Sequence, residues 1–295
     1  MPQRVAIVTG AASGIGRALV TRLVEKDWLV ALVDINEEAG DQFATTLGPN
    51  ATFYKADVSS YESQASVFSA VFAKHGRIDA LCANAGIVDR SSLYLLANRS
   101  PSTTVDAIPS APDLSATEVD LKGVIYGIRL ATHFMRFNPP APDHSYGKKI
   151  VVTASIAGLV PHPALPEYSA AKAGVVGFVR AVAPVLKVKE DIALSAVCPG
   201  LAATAVLPGV IVDAVGEALL TPVRDIVKAY EALLDVEGLD AAGEVREVVG
   251  ERSDVVGPPR VQTDLGRDMY AAAMEPIFTV LHEEESGIDT NGMVW

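Results

Sequence analysis

The chain has 295 residues, 49% of them apolar and 20% charged, and a formal net charge of -12. That balance excludes a disordered polymer and supplies enough apolar side chains for a buried sheet. The negative charge argues against nucleic acid or an anionic membrane as partner, since both would repel it, and points to a small-molecule ligand.

The first residues, Met1-Pro2-Gln3-Arg4, lead directly into an apolar run from Val5 to Thr9, leaving no room for a cleavable signal peptide. Further apolar runs follow at Leu29 to Asp34, Thr52 to Lys55, Ile78 to Cys82, Lys149 to Ala154 and Ile192 to Cys198. They are nearly continuous in apolar residues and alternate with helical stretches, as strands covered on both faces do. The expected architecture is α/β: one domain over residues 1–295, with a doubly wound parallel sheet, helices on both faces and right-handed crossovers. Cys82 and Cys198 each fall in or at the end of such a run, so no disulfide framework is expected and a reducing, cytoplasmic location is. No apolar run approaches the ~18 residues of a membrane span. The ending Met293-Val294-Trp295 matches no retention or lipidation signal.

Three stretches depart from this rhythm. Val88 to Leu114, rich in Ser, Pro, Asn and Thr and carrying Arg99-Ser100-Pro101-Ser102, predicts a long irregular loop leading into a helix. Leu201 to Thr221 is apolar but interrupted by Pro208 and Gly209, which predicts a short helical flap. Beyond Gly250, residues 251–295 form a charged, weakly patterned tail for which no element is predicted.

Thr9-Gly10-Ala11-Ala12-Ser13-Gly14-Ile15-Gly16 follows the first strand and opens the first helix, the context of a dinucleotide site. The first glycine permits a sharp turn, the next lets the backbone approach a pyrophosphate, and the last allows close packing, with the helix amino terminus facing the anion. Three residues separate Gly10 from Gly14, where the Gly-x-Gly-x-x-Gly fingerprint has one. Asp34 ends the second strand, where an acid meets the adenosine ribose hydroxyls. Its carboxylate would repel a 2'-phosphate, and neither Ile35 nor Asn36 offers a compensating cation, so NAD is favoured over NADP. Arg17, in the first helical turn, is a cation able to soften that preference. Asp57 and Val58, after the third strand, are placed to meet the adenine ring.

Further on, Ser155 precedes Tyr168 by thirteen residues, and Lys172 follows Tyr168 by four. Residues four apart share a helix face, so the Lys172 ammonium favours the ionised phenol and turns it into a base able to take a proton from an alcohol. An ordinary amphipathic helix with a surface lysine has the same spacing, and a lone Ser155 would read as a helix cap. The weight lies in the combination.

With Asn84-Ala85-Gly86 after the fourth strand and Pro199-Gly200 followed by Thr204 after the sixth, residues 4 to 204 resemble the short-chain dehydrogenase/reductase family, which has the Rossmann fold. The order Ser155, Ala157-Gly158, then Tyr168 with Ala170-Ala171-Lys172 is similar to the branch containing 15-hydroxyprostaglandin dehydrogenase. The resemblance implies that Asn84, Ala85 and Gly86 brace the cofactor side of the sheet. It implies too that Lys172 also binds the nicotinamide ribose, with Tyr168 beside the cofactor, and that Pro199, Gly200 and Thr204 hold the carboxamide. Ser155 would hydrogen-bond the substrate oxygen and Tyr168 would take its proton while hydride passes to the nicotinamide. No metal is expected. One departure stands out: where the family commonly has an asparagine holding a water that serves the lysine, this chain has Asp120 in Val119-Asp120-Leu121-Lys122-Gly123. A carboxylate can hold water, but its charge disfavours tyrosinate. The same substitution gives some weight to an alternative, a nucleotide-binding regulator or cyclase without redox activity.

Ile156, Leu159 to Leu165, the 88–114 loop and the 201–221 flap are the expected substrate walls. They are mostly apolar and lack a basic cluster, which favours a hydrophobic secondary alcohol or ketone over a polyanionic metabolite. His162 is a polar candidate that reads more readily as a surface residue. The helix from Glu167 to Lys187 carries Ala171, Val175, Phe178 and Val179, a face that serves either the monomer core or a homodimer or homotetramer contact.

Overall fold

The computed structural model describes residues 3–95, 104–140, 147–204 and 209–289. Met293 to Trp295, Arg99 to Ser102 and Pro208 lie outside the described residues. The strands are β1 (Val5–Thr9), β2 (Leu29–Asp34), β3 (Ala51–Lys55), β4 (Ala80–Ala83), β5 (Lys148–Thr153), β6 (Ile192–Pro199), β7 (Val245–Val249) and β8 (Arg252–Val255). The helices are α1 (Gly14–Glu25), α2 (Glu37–Leu47), α3 (Tyr61–His75), α4 (Ser115–Thr117), α5 (Gly123–Met135), α6 (Pro166–Glu190), α7 (Gly209–Val215), α8 (Val223–Leu234) and α9 (Asp264–His282).

All these strands join one sheet in the order β3-β2-β1-β4-β5-β6-β7-β8. The order reverses between β1 and β4, which pair in parallel with Ile7 opposite Leu81. That switch point opens a crevice at the carboxyl ends of the strands. The near-continuous apolar runs serve two cores at once. Val5 and Ile7 join the core that contains residues of α3, α5 and α6, while Ala6 and Val8 join the one that contains residues of α1, α2 and α8. Side chains alternate along a strand, so a strand buried on both faces must be apolar throughout.

Several boundaries move from expectation for local reasons. The fourth strand starts at Ala80, not Ile78, because the Asn138 amide occupies both ladder groups of Ile78: it accepts from the Ile78 N–H at 2.9 Å and donates to its carbonyl at 2.7 Å. The sheet is not wholly parallel, since β8 returns antiparallel to β7. The turn between them is Gly250-Glu251, with Gly250 at φ +58°, a backbone angle that side-chain-bearing residues rarely adopt. β7 carries Arg246 and Glu247 and β8 is exposed throughout, so this sheet edge lacks the apolar run that marks the central strands. The tail beyond it also contains α9, capped by the Thr263 hydroxyl, which accepts from the Gly266 N–H at 3.1 Å. No α9 residue is buried, and Leu265, Met269, Ile277, Val280 and Leu281 are exposed.

Among the described helices, α6 alone is long and apolar enough to cross a membrane, although Lys172 and Arg180 interrupt its apolar run. Ala171, Val175, Val176, Val179, Ala183 and Leu186 spend that apolarity on packing within the core. The substrate loop is irregular through the described residues up to Leu114, and the flap contains α7 and a 3-10 turn at Glu217–Leu219.

Candidate active site

The glycine turn is shaped by close approach. Gly10 has φ +65°, and a Cβ on Gly16 would stand 2.1 Å from the Gly10 carbonyl oxygen, so neither position admits a side chain. Gly14 faces the Thr204 side chain, which a Cβ there would meet at 3.1 Å. Ser13 caps α1 by position only: its hydroxyl accepts no cap bond, it is exposed, and no acid stands in the first turn. The first-turn N–H groups, Ile15 among them, therefore keep their capacity for an anion. At the end of β2, Asp34 accepts from the Ala12 N–H through one oxygen and from the Asn36 N–H through the other, both at 3.0 Å. Ile35 beside it is 64% exposed, open to a flat ligand. Arg17 is exposed, and its guanidinium lies 4.1 Å from the centre of the Phe43 ring. Asp57 folds one oxygen back onto the Ser59 N–H and hydroxyl, and buried Val58 backs onto Gly123.

Asn84 braces the crevice: its amide donates to the Thr9 carbonyl at 3.0 Å and accepts from the Thr153 hydroxyl at 3.0 Å. The N–H groups of Asn84 and Ala85 both donate to the Thr9 hydroxyl. Thr9 and Thr153 were not singled out in the sequence, because a threonine inside an apolar strand reads as β-branched filler.

At the centre lies a buried ion pair. Lys172 Nζ stands 3.1 Å from Asp120 Oδ2, with side chains 2% and 0% exposed, and it donates to the Thr153 carbonyl at 2.9 Å. Asp120 Oδ1 accepts from the Ile87 N–H at 2.8 Å, and a Cβ on Gly86 would meet both partners at just over 3 Å. Asp120 sits in a π-helical turn, Glu118–Lys122, between α4 and α5. Such turns are rare and cluster at functional sites. Burial is the largest influence and opposes the Lys172 charge, but Asp120 and Tyr168 together outweigh it and the ammonium is held above its ordinary value. Lys172 Nζ lies 5.5 Å from the centre of the partly exposed Tyr168 ring, as the four-residue spacing predicts. Ser155, itself buried, does cap the 3-10 turn Ile156–Gly158, accepting from the Ala157 N–H at 3.1 Å. The cap uses a lone pair and leaves the O–H free to donate, so the two readings of this serine are compatible. The turn rests on α6 at Lys172, whose carbonyl oxygen a Cβ on Gly158 would meet at 2.6 Å.

On the far wall, Pro199 closes β6 and the Gly200 N–H donates to Val248 O at 2.8 Å. Buried Thr221 pins this corner, its N–H donating to Leu201 O at 2.6 Å and its hydroxyl accepting from the Gly250 N–H. Burial pushes the Cys198 thiol up to about 12 against the pull of the Ser155 N–H, Arg180 and Lys172, and Cys82 likewise to about 12. His162 is exposed, its ring nitrogen accepting from the Ala164 N–H, so it reads as a loop residue.

Residues 4–211 match the short chain dehydrogenase family. The chain is 42% identical over 294 residues to the short-chain dehydrogenase/reductase prx6 of Penicillium rubens, covering 97% of this chain and 96% of that one. It is 33% identical over 213 residues to the 15-hydroxyprostaglandin dehydrogenase, NAD(+), of Homo sapiens, covering 70% and 71%. A 3-ketoacyl-(acyl-carrier-protein) reductase of Brucella melitensis, solved with NADH, has the same fold: TM-score 0.70 and 24% identity, over 86% of this chain and 99% of that one. The chain belongs to the short-chain dehydrogenase family, and it is an oxidoreductase that uses a nicotinamide cofactor. The residues present fit that group: the turn admits no side chain at Gly10 or Gly16, and the α1 amino terminus has no acceptor of its own.

Proposed function

We propose that this chain is an NAD-dependent dehydrogenase acting between a hydrophobic secondary alcohol and the corresponding ketone, with Tyr168 as general base. The observation that carries the reading is the fully buried Lys172 ammonium 5.5 Å from the Tyr168 ring. A cation so placed favours removal of the phenolic proton and readies the oxygen to take one from an alcohol. Ser155 donates its free O–H to the substrate oxygen and fixes that alcohol for the transfer. The nicotinamide, when bound, supplies the hydride acceptor or donor.

Gly10, Ser13, Gly14, Ile15 and Gly16 would hold the pyrophosphate, Asp34 and Ile35 the adenosine ribose, and Asp57 and Val58 the adenine. Asn84, Ala85 and Gly86 would brace the nicotinamide half, Lys172 would bind its ribose, and Pro199, Gly200 and Thr204 its carboxamide. NAD over NADP is supported by the Asp34 carboxylate and by Arg17, which is engaged with Phe43. The name of the human relative also carries NAD(+). Exposed Leu93, Leu95, Val160 and Ile211 on the candidate substrate walls support an apolar substrate.

Two further parts of this reading are a cytoplasmic location, which the two free buried cysteines support, and a homodimer or homotetramer, which the bare apolar side chains of α9 support. Sedimentation equilibrium reads the second, and a purely monomeric chain ends it. The deciding experiment screens NADH formation over a panel of apolar secondary alcohols with the wild-type chain and Tyr168→Phe. The variant should bind NADH as before and lose on the order of 10²-fold or more in turnover. Undiminished turnover rejects Tyr168 as the base.

A further inference from the structure

Helix α6 begins without a cap of its own. Leu165 occupies the N-cap position, makes no side-chain cap bond, and is followed by Pro166, which has no N–H. The next two amides, Glu167 and Tyr168, lie in the first turn, where a helix offers no internal acceptor. Both are nevertheless bonded, and the acceptor comes from 78 and 79 residues upstream: Asp89 Oδ2 takes the Glu167 N–H at 3.1 Å and Asp89 Oδ1 takes the Tyr168 N–H at 2.8 Å.

Asp89 stands at the start of the substrate loop, three residues past Gly86 and two past Ile87. That short stretch therefore touches both the ion pair and the helix turn that carries Tyr168. Gly86 backs the Asp120–Lys172 pair, Ile87 donates to Asp120, and Asp89 holds the backbone of Tyr168. Two more bonds fasten the region. The Tyr94 hydroxyl donates to Pro163 O at 2.7 Å, and the buried Glu167 carboxylate accepts from the Thr117 N–H at 2.7 Å.

We propose that Asp89 is a positioning residue: its carboxylate replaces the missing local cap, fixes the first turn of α6, and couples the substrate loop to the phenol of Tyr168. The proposal rests on Tyr168 being the base. An anion at a helix amino terminus is favoured by the free N–H groups and by the helix dipole. A reacting group shifted by about 1 Å costs on the order of 10²-fold in rate.

The test compares wild type, Asp89→Ala and Asp89→Asn as full chains, in three measurements: turnover with NAD and an active alcohol, NADH binding by fluorescence, and amide hydrogen exchange across residues 165–172. In Asp89→Ala, kcat should fall about tenfold or more, with NADH affinity held within about twofold and faster exchange at Glu167 and Tyr168. Asp89→Asn keeps one acceptor oxygen and so can hold only one of the two N–H groups, and its kcat should fall between those of wild type and Asp89→Ala. Unchanged kcat and exchange in Asp89→Ala overturn the proposal, and so does a loss of NADH binding in step with kcat, which marks general damage to the fold. Should the alanine variant fail to fold, wild-type exchange decides, because free exchange at Glu167 and Tyr168 also overturns it. Should wild type show no dehydrogenase turnover, the assignment of the base fails, while the exchange rates still judge the cap.

Discussion

Replacing Asp120 by asparagine removes one negative charge from the centre while nearly keeping the shape of the side chain. Lys172 Nζ lies 5.5 Å from the Tyr168 ring centre and 3.1 Å from Asp120 Oδ2. A unit charge at ~9 Å or less, at an effective dielectric of ~20, is worth about 2 kcal/mol, a little over one pH unit. The Asp120 carboxylate disfavours tyrosinate, so its removal should move the acidic limb of the pH–rate profile to lower pH by on the order of one unit. Wild type thus has the more alkaline optimum. The assay is NADH formation from one alcohol across pH 5 to 10, with cofactor saturating at every point. An unchanged limb, or one moved to higher pH, refutes the reasoning. A higher-pH limb would mean that Lys172, left with the Thr153 carbonyl, had itself lost its proton.

The same variant should be less stable by about 3–5 kcal/mol, since it leaves a buried ammonium without its counter-charge, and calorimetry reads this as a lower Tm. The Lys172 value is raised in the folded chain, so the stability it contributes is complete below about pH 10.4 and is lost as the pH rises through the folded-state value. In Asp120→Asn that alkaline loss should set in at lower pH. Asp34→Ala should narrow the ratio of kcat/KM for NAD over NADP on the order of tenfold, and an unaltered ratio removes the ribose assignment. With both thiols pushed up to about 12, Cys82 and Cys198 should resist iodoacetamide at pH 8 in the native chain and react once it is unfolded. Rapid native labelling of either would contradict their burial.

The Asp120–Lys172 pair bears on how the centre balances stability against chemistry. Buried ion pairs lose so much hydration that they seldom stabilise a fold beyond what an apolar pair would. Here the ammonium is held by one carboxylate and one carbonyl, in a pocket where even the small Gly86 is closely approached. The arrangement makes sense for a group that must stay charged beside a phenol and must not wander.

Taken by itself, the sequence determined what depends on neighbours along the chain. The apolar runs gave six strands, most of them because a strand buried on both faces needs no partner's identity to be recognised, while β3 is only half-buried. The glycine turn was legible because only glycine fits where backbones nearly touch, and the Tyr168–Lys172 proximity because helical geometry sets it. Only the tertiary structure decided who stands opposite whom. Lys172 reaches Asp120 from another helix, Asp89 caps a helix 78 residues away, and Arg17 lies on Phe43. Asn138 cuts the fourth strand short, and at the β7–β8 edge Arg246 and Glu247 interrupt the valines of β7 while β8 is exposed throughout, which leaves the Gly250 turn as its clearest signal. Periodicity encodes which face a side chain is on. Its partner is fixed by long-range packing, and it is that partner which sets charge, burial and hydrogen bonding at the site.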